Sequence, residues 1–549
     1  MSIFKNKPLS LYFFFFFLIL AFYWDTRDAG FVTDFLDWQT KFDTFSFGQI
    51  IYPTQDGIKS FYHLTHLQMY ALSSLFGTWG LPWFLIFTAL FALNGLFVFL
   101  FFQKLFTAFD LQNGSEIAFV GVLCFLLSPY QAEVVVWRAA FHYFTAFAMM
   151  MGYLLLVIKY LQKPNMKLVI GATFLYVCSV FALEFFYFTP FLAAILLLFW
   201  QLNTAERLPN FRKISAFFVG IPLSILAVYF VIYHFSYGKW IAHYGADAHK
   251  NLFSPEAFAT YAKYVTKHLF FIRHLENHVK TPFFQYFDAP YVAWTVLVGV
   301  ISMGILGLIF FKKMRPTPRF MYLSFVYFSV LIAPAISLFF VTGLLTENDR
   351  FGYIASPFLF LFVTLLLSRL PKVVFRSLMM VFLGFNIFFL VKTTHFWFLA
   401  ERVQTNLIKT YNFWDYDEVL SLNTPDNFEG MPMFKVWDDE SGIAKTLSAF
   451  RRRKPTGKIY DVQRYNLVNS SDGVHVRVNA PDSLTVLFNQ YGTWWWREPT
   501  YATPQYQVKE GVGSYTLKLK PTNLKRVIIF QVGNVWREVD MSKIGIEQW

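Results

Sequence analysis

Acidic side chains crowd the segment that follows the first apolar stretch of the chain. That stretch covers residues 9–24, and the carboxylates after it are Asp25, Asp28, Asp34, Asp37 and Asp43. A carboxylate at a membrane surface can accept a proton from a hydroxyl group, and ionisable groups beside membrane spans are by default functional candidates. The sequence therefore predicts an active site in this first loop.

Three further groups of ionisable residues stand at the ends of apolar stretches. They are residues 128–138, which include Glu133 and Arg138; Glu184, with Pro190 beyond it; and residues 347–350, continuing to Tyr353 and Pro357. If the spans alternate, all four groups lie on one face of the membrane, which predicts a shared cavity. The alternative is that loop ends are where charges are tolerated, and the coincidence of four groups weighs against it.

Eleven apolar stretches of roughly membrane-spanning length must position these groups. They are residues 9–24, 82–105, 116–136, 139–160, 167–183, 185–202, 214–236, 291–311, 320–345, 357–369 and 377–397. Hydrophobic residues make up 56% of the chain and charged residues 15%, whereas soluble domains carry about 25% charged residues. These features predict an α-helical polytopic membrane protein.

Basic residues mark one side of this predicted bundle. Alternating spans place the following on the same side: Lys5, Lys7, Lys159, Lys163, Lys167, Arg207, Arg212, Lys213, Lys312, Lys313, Arg315, Arg319, Arg369, Lys372 and Arg376. Because cytoplasmic loops are rich in lysine and arginine, the net charge of +13 is interpreted as a topology signal and not as a nucleic-acid site. The prediction is a multi-pass plasma (inner) membrane protein with a cytoplasmic N-terminus. Loops 25–81 and 237–290 and the tail would lie outside.

The chain divides into a membrane domain, residues 1–397, and a tail, residues 398–549. From Lys458 onward the tail shows short β-branched runs separated by turn residues, which predicts a small antiparallel β domain on the extracytoplasmic side. Trp494, Trp495 and Trp496 could pack in its core or touch the membrane. Within residues 273–278, His274 and His278 have a spacing that can chelate a metal, but solvated or phosphate-contacting histidines are the preferred interpretation.

The motifs resemble a known family. Residues 62–67 (YHLTHL), continued by 75–77 (LFG) and 92–96 (ALNGL), resemble the segment before the second span of glycosyltransferases that use polyprenyl-phosphate-linked sugars. Residues 128–137 (SPYQAEVVVW) resemble that group's His-Pro-x-x-x-Glu-x-x-x-Trp pattern. Leu183-Glu184 with Pro190 resembles its Lys-Glu…Pro element, and residues 349–353 (DRFGY) with Pro357 resemble its Glu-Arg-x-x-Tyr-x-Pro segment.

Over residues 20–370 the chain is thus similar to the GT-C type of these enzymes. It is most like the O-mannosyltransferases whose other members carry tetratricopeptide repeats. It departs from the family at Arg27, Ser128 and Leu183, and the β tail stands in place of the repeats. These departures leave the acceptor open.

The resemblance implies transfer of a sugar from a polyprenyl-phosphate donor to a hydroxyl of a protein or glycan acceptor. Asp28, with Asp25 and Asp34 as alternatives, would accept the proton, and Arg350 would hold the departing phosphate. The expected substrate contacts are Glu133, Arg138, Glu184, Arg350, Tyr353 and His63. Glu133 and Glu184 could instead pair with Arg138. No cofactor or metal ligand is predicted with certainty, and a divalent cation (Mg²⁺ or Mn²⁺) between Asp28 and the phosphate remains an alternative.

Other classes stay open beside this one. A ligase or polymerase of lipid-linked glycans would share the donor but not the acceptor. A secondary transporter tends to show repeated halves and helices interrupted near the midplane, and the sequence shows no internal repeat. A non-catalytic membrane scaffold that presents the β tail to a partner is the remaining alternative.

Overall fold

The fold is that of a computed structural model, which describes residues 7–51, 63–204, 210–238, 240, 254–338, 349–436, 441–488, 493–495 and 500–549. Some residues of the predicted functional segments lie outside the described residues, namely Tyr62, Glu347, Asn348 and Trp496.

Helices make up the described part of the chain up to Thr410. They are α1 (Pro8–Tyr23), α2 (Asp34–Thr44), α3 (Phe47–Ile51), α4 (His63–Phe76), α5 (Gly80–Ala108), α6 (Gly114–Leu126), α7 (Ala132–Val136), α8 (Phe141–Gln162), α9 (Met166–Val180), α10 (Thr189–Asn203), α11 (Phe211–Ser215), α12 (Ile221–Tyr237), α13 (Pro255–Phe270), α14 (Asn277–Asp288), α15 (Pro290–Phe310), α16 (Pro316–Leu338), α17 (Arg350–Tyr353), α18 (Ser356–Leu367) and α19 (Lys372–Thr410). A π-helical turn, Ala216–Gly220, joins α11 to α12.

Among the described residues, eight helical segments are long and apolar enough to cross a membrane, or nine if the bent pair α6–α7 is one span. Two other predicted spans, residues 167–183 and 357–369, correspond to α9 and α18, which have only 15 and 12 residues. At about 1.5 Å per residue, α9 is shorter than the roughly 30 Å of a hydrocarbon core. The helices are compatible with a multi-pass membrane protein, and the predicted number of eleven spans is not confirmed.

The third predicted span, residues 116–136, is broken. Helix α6 ends at Leu126, and a 3₁₀ turn at Pro129–Gln131 leads into α7 with a bend of 56°. Proline disfavours a helical backbone in the residue before it, and Ser128 is indeed extended, with ψ 131°. The Gln131 amide donates to the Ser356 hydroxyl at 3.0 Å. As a result the segment that carries Glu133 folds across the end of the bundle.

In its described residues, the C-terminal domain has three sheets and one helix. Its elements are β1 (Glu418–Ser421), β2 (Thr424–Phe428), β3 (Met431–Pro432), α20 (Gly442–Arg451), β4 (Lys458–Asp461), β5 (Arg464–Leu467), β6 (Val474–Ala480), β7 (Ser483–Phe488), β8 (Thr493–Trp495), β9 (Thr500–Ala502), β10 (Tyr506–Gly511), β11 (Ser514–Leu519), β12 (Arg526–Val532), β13 (Val535–Glu538) and β14 (Glu547–Gln548). The sheet orders are β13-β12-β1-β4, β14-β6-β7-β11-β10-β9 and β3-β2-β5-β8.

The prediction of a β-rich tail is confirmed, but its purely antiparallel character is wrong. Strand β1 pairs in parallel with β12 and β4, and β2 pairs in parallel with β5. Parallel neighbours need a crossover connection, and the chain between β1 and β4 contains α20, which the strand pattern alone did not reveal. Trp494 and Trp495 belong to β8, which pairs with β5.

Helix α19 joins the bundle to this domain. It has 39 residues, so the predicted boundary at residue 397 lies inside it and the first strand begins at Glu418. The Gln404 amide donates to the Met433 carbonyl at 2.8 Å, and the Lys445 ammonium of α20 forms an ion pair with Asp37 of α2. We call the end of the bundle that contacts the C-terminal domain the domain end.

The opposite end carries basic loops. Residues 110–117, 315–317 and 368–375 contribute to the lining of one cleft of about 550 Å³. Arg376 pairs there with Glu116 at 2.9 Å, and Arg319 donates to the Asn203 side chain at 2.9 Å. The basic groups of residues 312–319 and 369–376 therefore share one end of the bundle, and the acidic first loop lies at the other.

Candidate active site

The first loop is held closely against the segment between α7 and α8. The Arg138 amide donates to the Gly30 carbonyl at 3.0 Å, and the Trp137 indole donates to the Val32 carbonyl at 3.1 Å. Gly30 has φ +91°, and a Cβ atom there would lie 1.8 Å from the Val136 carbonyl oxygen. Only glycine permits both this backbone conformation and this approach.

Arg138 is the centre of this junction. Its side chain is fully buried, and its guanidinium donates to the carbonyls of Thr26 and Arg27, both at 3.1 Å, and of Val135 at 3.3 Å. It also lies over the rings of Phe31 and Phe87, at 5.8 and 5.3 Å from their centroids. In this geometry the predicted substrate-binding residue Arg138 contacts the protein backbone.

The predicted base Asp28 lies beside this junction. Its side chain is 53% exposed, with a carboxylate oxygen 3.5 Å from the Arg27 guanidinium, and it packs against Gly80 at the start of α5. Asp28 interacts electrostatically with Arg138 and with Glu401. Asp25 is exposed on the preceding 3₁₀ turn.

Asp34 occupies a different position from the other two candidates. It is the first residue of α2, where the positive end of the helix dipole favours a negative charge, and it is half-buried. Asp34 is also the first-loop carboxylate that interacts electrostatically with Arg350. Of the three predicted bases, Asp34 is thus the one whose charge contributes to the pKa of the predicted phosphate-binding arginine.

Arg350 is paired with Glu133. One Glu133 oxygen accepts from the Arg350 amide at 2.8 Å and the other from its guanidinium at 2.5 Å, and Glu133 is only 6% exposed. The guanidinium lies 4.6 Å from the ring centroids of both Trp137 and Phe351. Burial lowers the pKa of Arg350, but Glu133, Tyr143 and Asp34 raise it, and the net result is a pKa above the usual value. The arginine is therefore fixed and permanently charged.

A second buried ion cluster adjoins this pair. The Asp349 carboxylate accepts from the Lys267 ammonium at 2.9 Å and forms an ion pair with Arg273, and all three side chains are less than 10% exposed. Both cations lie over the Tyr130 ring, at 5.4 and 4.7 Å from its centroid. Both also interact electrostatically with Glu133, so the two clusters form one charged region.

Burial governs the protonation of this region. It lowers the pKa of Lys267 well below its usual value, and Arg273 lowers it further while Glu133 opposes the change. Burial likewise lowers the pKa of Arg273, although Tyr130 and Glu133 act to raise it. His268, whose ring is 4.9 Å from Tyr130, has its pKa lowered to about 3 by burial and by Lys267. It is therefore neutral at physiological pH.

Histidines line the side of the site formed by α2, α4 and α8. The His66 ring lies 4.3 Å from that of Trp38, tilted by 56°. The pKa of His66 is lowered to about 3, mainly by burial and then by His63, Lys41 and His142. His142 in turn interacts electrostatically with Arg350. The predicted contact His63 is thus linked to the charged region through His66 and His142.

Two other predicted contacts lie apart from the ions. Glu184 begins a 3₁₀ turn and interacts electrostatically with the hydroxyl pair of Tyr187 and Tyr229, which are 2.8 Å apart. The Tyr353 ring is fully buried, and its hydroxyl accepts from Asn94 at 2.8 Å. The role of both side chains in binding substrate stays a prediction.

Sequence reasoning did not find Lys267 and Arg273. Both are basic residues in a segment rich in aromatic side chains, and this pattern could have indicated them. The sequence analysis considered only the histidines of the segment. Of these, His274 stacks on Phe389 at 4.6 Å and His278 is exposed beside Glu276 at 3.1 Å. Within the described ranges, no group of three or more His, Cys, Asp or Glu side chains could hold a metal ion.

Three buried or half-buried cations lie at the domain end with their partners Asp349 and Glu133. The half-buried carboxylate of Asp34 interacts electrostatically with one of them, Arg350. A carboxylate can accept a proton, and arginine and lysine in a partly desolvated site bind phosphate or carboxylate groups strongly. The site therefore has the chemistry to bind an anionic substrate beside a general base. No protein-family model and no curated protein matches the chain.

Proposed function

We propose that this protein is an integral membrane glycosyltransferase of the GT-C type. It would transfer a sugar from a polyprenyl-phosphate donor to a hydroxyl group of a protein or glycan acceptor. The observation that carries the proposal is the buried Glu133–Arg350 ion pair at the domain end of the bundle, with Asp34 close enough to interact electrostatically with Arg350. These residues come from the first loop, the broken third span and the segment before α18, which are three of the four groups singled out in the sequence.

The reaction follows from this geometry. The carboxylate of Asp34 accepts the proton of the acceptor hydroxyl as that oxygen forms a bond to the anomeric carbon. The bond between the anomeric carbon and the phosphate oxygen breaks, and the electron pair leaves with the polyprenyl phosphate. Arg350, held by Glu133 and by the Trp137 ring, stabilises the charge that develops on the departing phosphate.

Asp34 replaces Asp28 as the preferred base. Asp28 lies beside Arg27 and Arg138, and Arg138 is engaged with backbone carbonyls. Asp34 interacts electrostatically with Arg350. A base and a phosphate-binding cation must flank the same anomeric carbon, and this interaction is the reason for preferring Asp34.

The membrane orientation belongs to the same proposal. The basic loops at the opposite end would face the cytoplasm, and the candidate site and the C-terminal domain would lie outside the plasma (inner) membrane. A lipid-linked donor would then enter the site sideways from the bilayer, with its phosphate at the interface.

Matched substitutions test the proposal. Membranes that contain the protein are incubated with polyprenyl-phosphate sugars, and release of polyprenyl phosphate is measured. We expect Asp34→Asn to lower turnover by about 10²–10⁴-fold, the usual contribution of a general base, and Asp28→Asn, the matched control in the same loop, to lower it less than about tenfold. Loss of turnover in Asp28→Asn with retention in Asp34→Asn would reverse the assignment, and absence of turnover with all such donors would overturn the proposed activity.

A further inference from the structure

A cavity of about 560 Å³ lies between the bundle and the C-terminal domain. Its bundle side is formed by the turn Ile272–His274, the residues leading into α14, and α19. Its other side is formed by the β2–β3 turn and by β5, with the side chains of Asn427 and Asn466 in the lining. Amide side chains on a rigid sheet are suited to bind the hydroxyl groups of a sugar.

Three cations line this cavity: Arg273, Lys280 and Lys392. They are near enough to repel one another, since burial and then Arg273 and Lys392 lower the pKa of Lys280. The lining carboxylates are Glu276 and Glu429. Glu276 is 82% exposed and lies beside His278, and burial raises the pKa of Glu429 despite Lys392 and Lys280. The lining therefore has three cations and two carboxylates, one more cation than carboxylates.

One buried donor of a residue that lines this cavity has no hydrogen-bond partner within the described part of the chain. It is the Nη2 atom of Arg273, whose residue is 8% exposed. Leaving a buried charged donor unpaired is costly, and a ligand with acceptor oxygens would satisfy it.

We propose that the cavity binds an anionic glycan acceptor, with a phosphate or carboxylate group held by Lys280, Lys392 and Arg273. The role of this glycan as an acceptor rests on the proposed glycosyl transfer. Arg273 is also the ion-pair partner of Asp349, the residue before Arg350. A glycan anchored in the cavity would thus extend a hydroxyl group toward the charged region that contains Asp34 and Arg350.

Binding without donor tests the cavity independently of catalysis. The full chain in nanodiscs of neutral lipid is titrated with glucose 1-phosphate, glucuronate and glucose, and affinities are measured by ligand-observed NMR. We expect both anions to bind more tightly than glucose. Lys280→Gln and Lys392→Gln should each lower the affinity for the anions by roughly tenfold, as expected for the loss of one charge-assisted hydrogen bond. Neither substitution should change the affinity for glucose.

The control is Lys372→Gln, which alters a lysine at the other end of the same helix, α19, where it lines the opposite cleft. It should leave all affinities unchanged. Tighter binding of glucose 1-phosphate than of glucuronate would indicate that the anionic group of the glycan is a phosphate. Tighter binding of glucuronate would indicate a carboxylate. The cavity proposal would be overturned if glucose bound as tightly as both anions. It would also be overturned if Lys372→Gln and Lys392→Gln lowered the anion affinity equally. Anion binding in a protein that releases no polyprenyl phosphate would retain the site and overturn only the proposed transfer.

Discussion

Replacing Arg138 tests whether it binds substrate, as the sequence predicts, or holds the first loop in place, as its contacts indicate. Arg138→Met keeps most of the apolar bulk and removes the bonds to the carbonyls of Thr26, Arg27 and Val135. The loop that carries Asp34 would keep the bonds to the Arg138 amide and the Trp137 indole but lose those to the Arg138 guanidinium. We therefore expect a loss of stability and of turnover, with the donor KM unchanged.

The size of the stability loss follows from those contacts. A hydrogen bond from a charged donor contributes about 1.5–3 kcal/mol. The full sum does not apply, because the Thr26 oxygen keeps a bond from the Ala29 amide at 3.1 Å and the contact with Arg27 is only part-buried. Removing a buried charge also offsets part of the loss. We expect the free energy of unfolding to fall by about 3 kcal/mol, between one and two such bonds.

The assay is thermal denaturation in detergent, followed by tryptophan fluorescence, beside donor kinetics. The control is Arg376→Met, which breaks the exposed pair with Glu116 at the opposite end and should change stability by less than about 1 kcal/mol. If Arg138→Met melts like the wild type and raises the donor KM, then Arg138 binds substrate and the reasoning from its buried contacts is refuted.

Two further predictions concern the cation and the orientation. Arg350→Ala should raise the donor KM strongly and Arg350→Lys less, because lysine keeps the charge but loses the planar donor pair; an unchanged donor KM in Arg350→Ala would leave the arginine as a partner of Glu133 alone. Ser448→Cys and Ser514→Cys should react with a membrane-impermeant maleimide added to intact cells from which any outer membrane has been removed, since both lie in the C-terminal domain; labelling only after lysis would reverse the proposed orientation.

Much of the helical architecture could be predicted from apolar length alone. The predicted stretches at residues 82–105 and 291–311 correspond to α5 and α15, because a long apolar run has one stable solution in a membrane. The break at Pro129 was not predicted. Residues 116–136 are long enough for one span, and only the restriction that proline places on Ser128 separates one straight helix from the bent pair.

The sequence predicted which segments form the candidate site, but it did not predict which of their residues pair with one another. The sequence indicated that Glu133 and Arg350 stand at the same end of the bundle, yet it offered Arg138 as the partner of Glu133. The structure pairs Glu133 with Arg350 because the bend after α6 turns α7 toward α17. Likewise, spacing could not rank Asp28 against Asp34, since their different surroundings depend on the tight contact at Gly30.

The energetics of the charged region bear on its purpose. Replacing a buried ion pair by well-packed apolar residues is often neutral or stabilising, so the cluster of Asp349 with Lys267 and Arg273 is not needed for stability. A bundle of this composition could fill the same space with phenylalanine, as it does around Tyr353. Three cations, Lys267, Arg273 and Arg350, are grouped there with their carboxylate partners Asp349 and Glu133. This concentration of buried ionic groups, at the end of the bundle that carries the half-buried Asp34, supports a charged substrate such as a lipid-phosphate donor more directly than any single motif does.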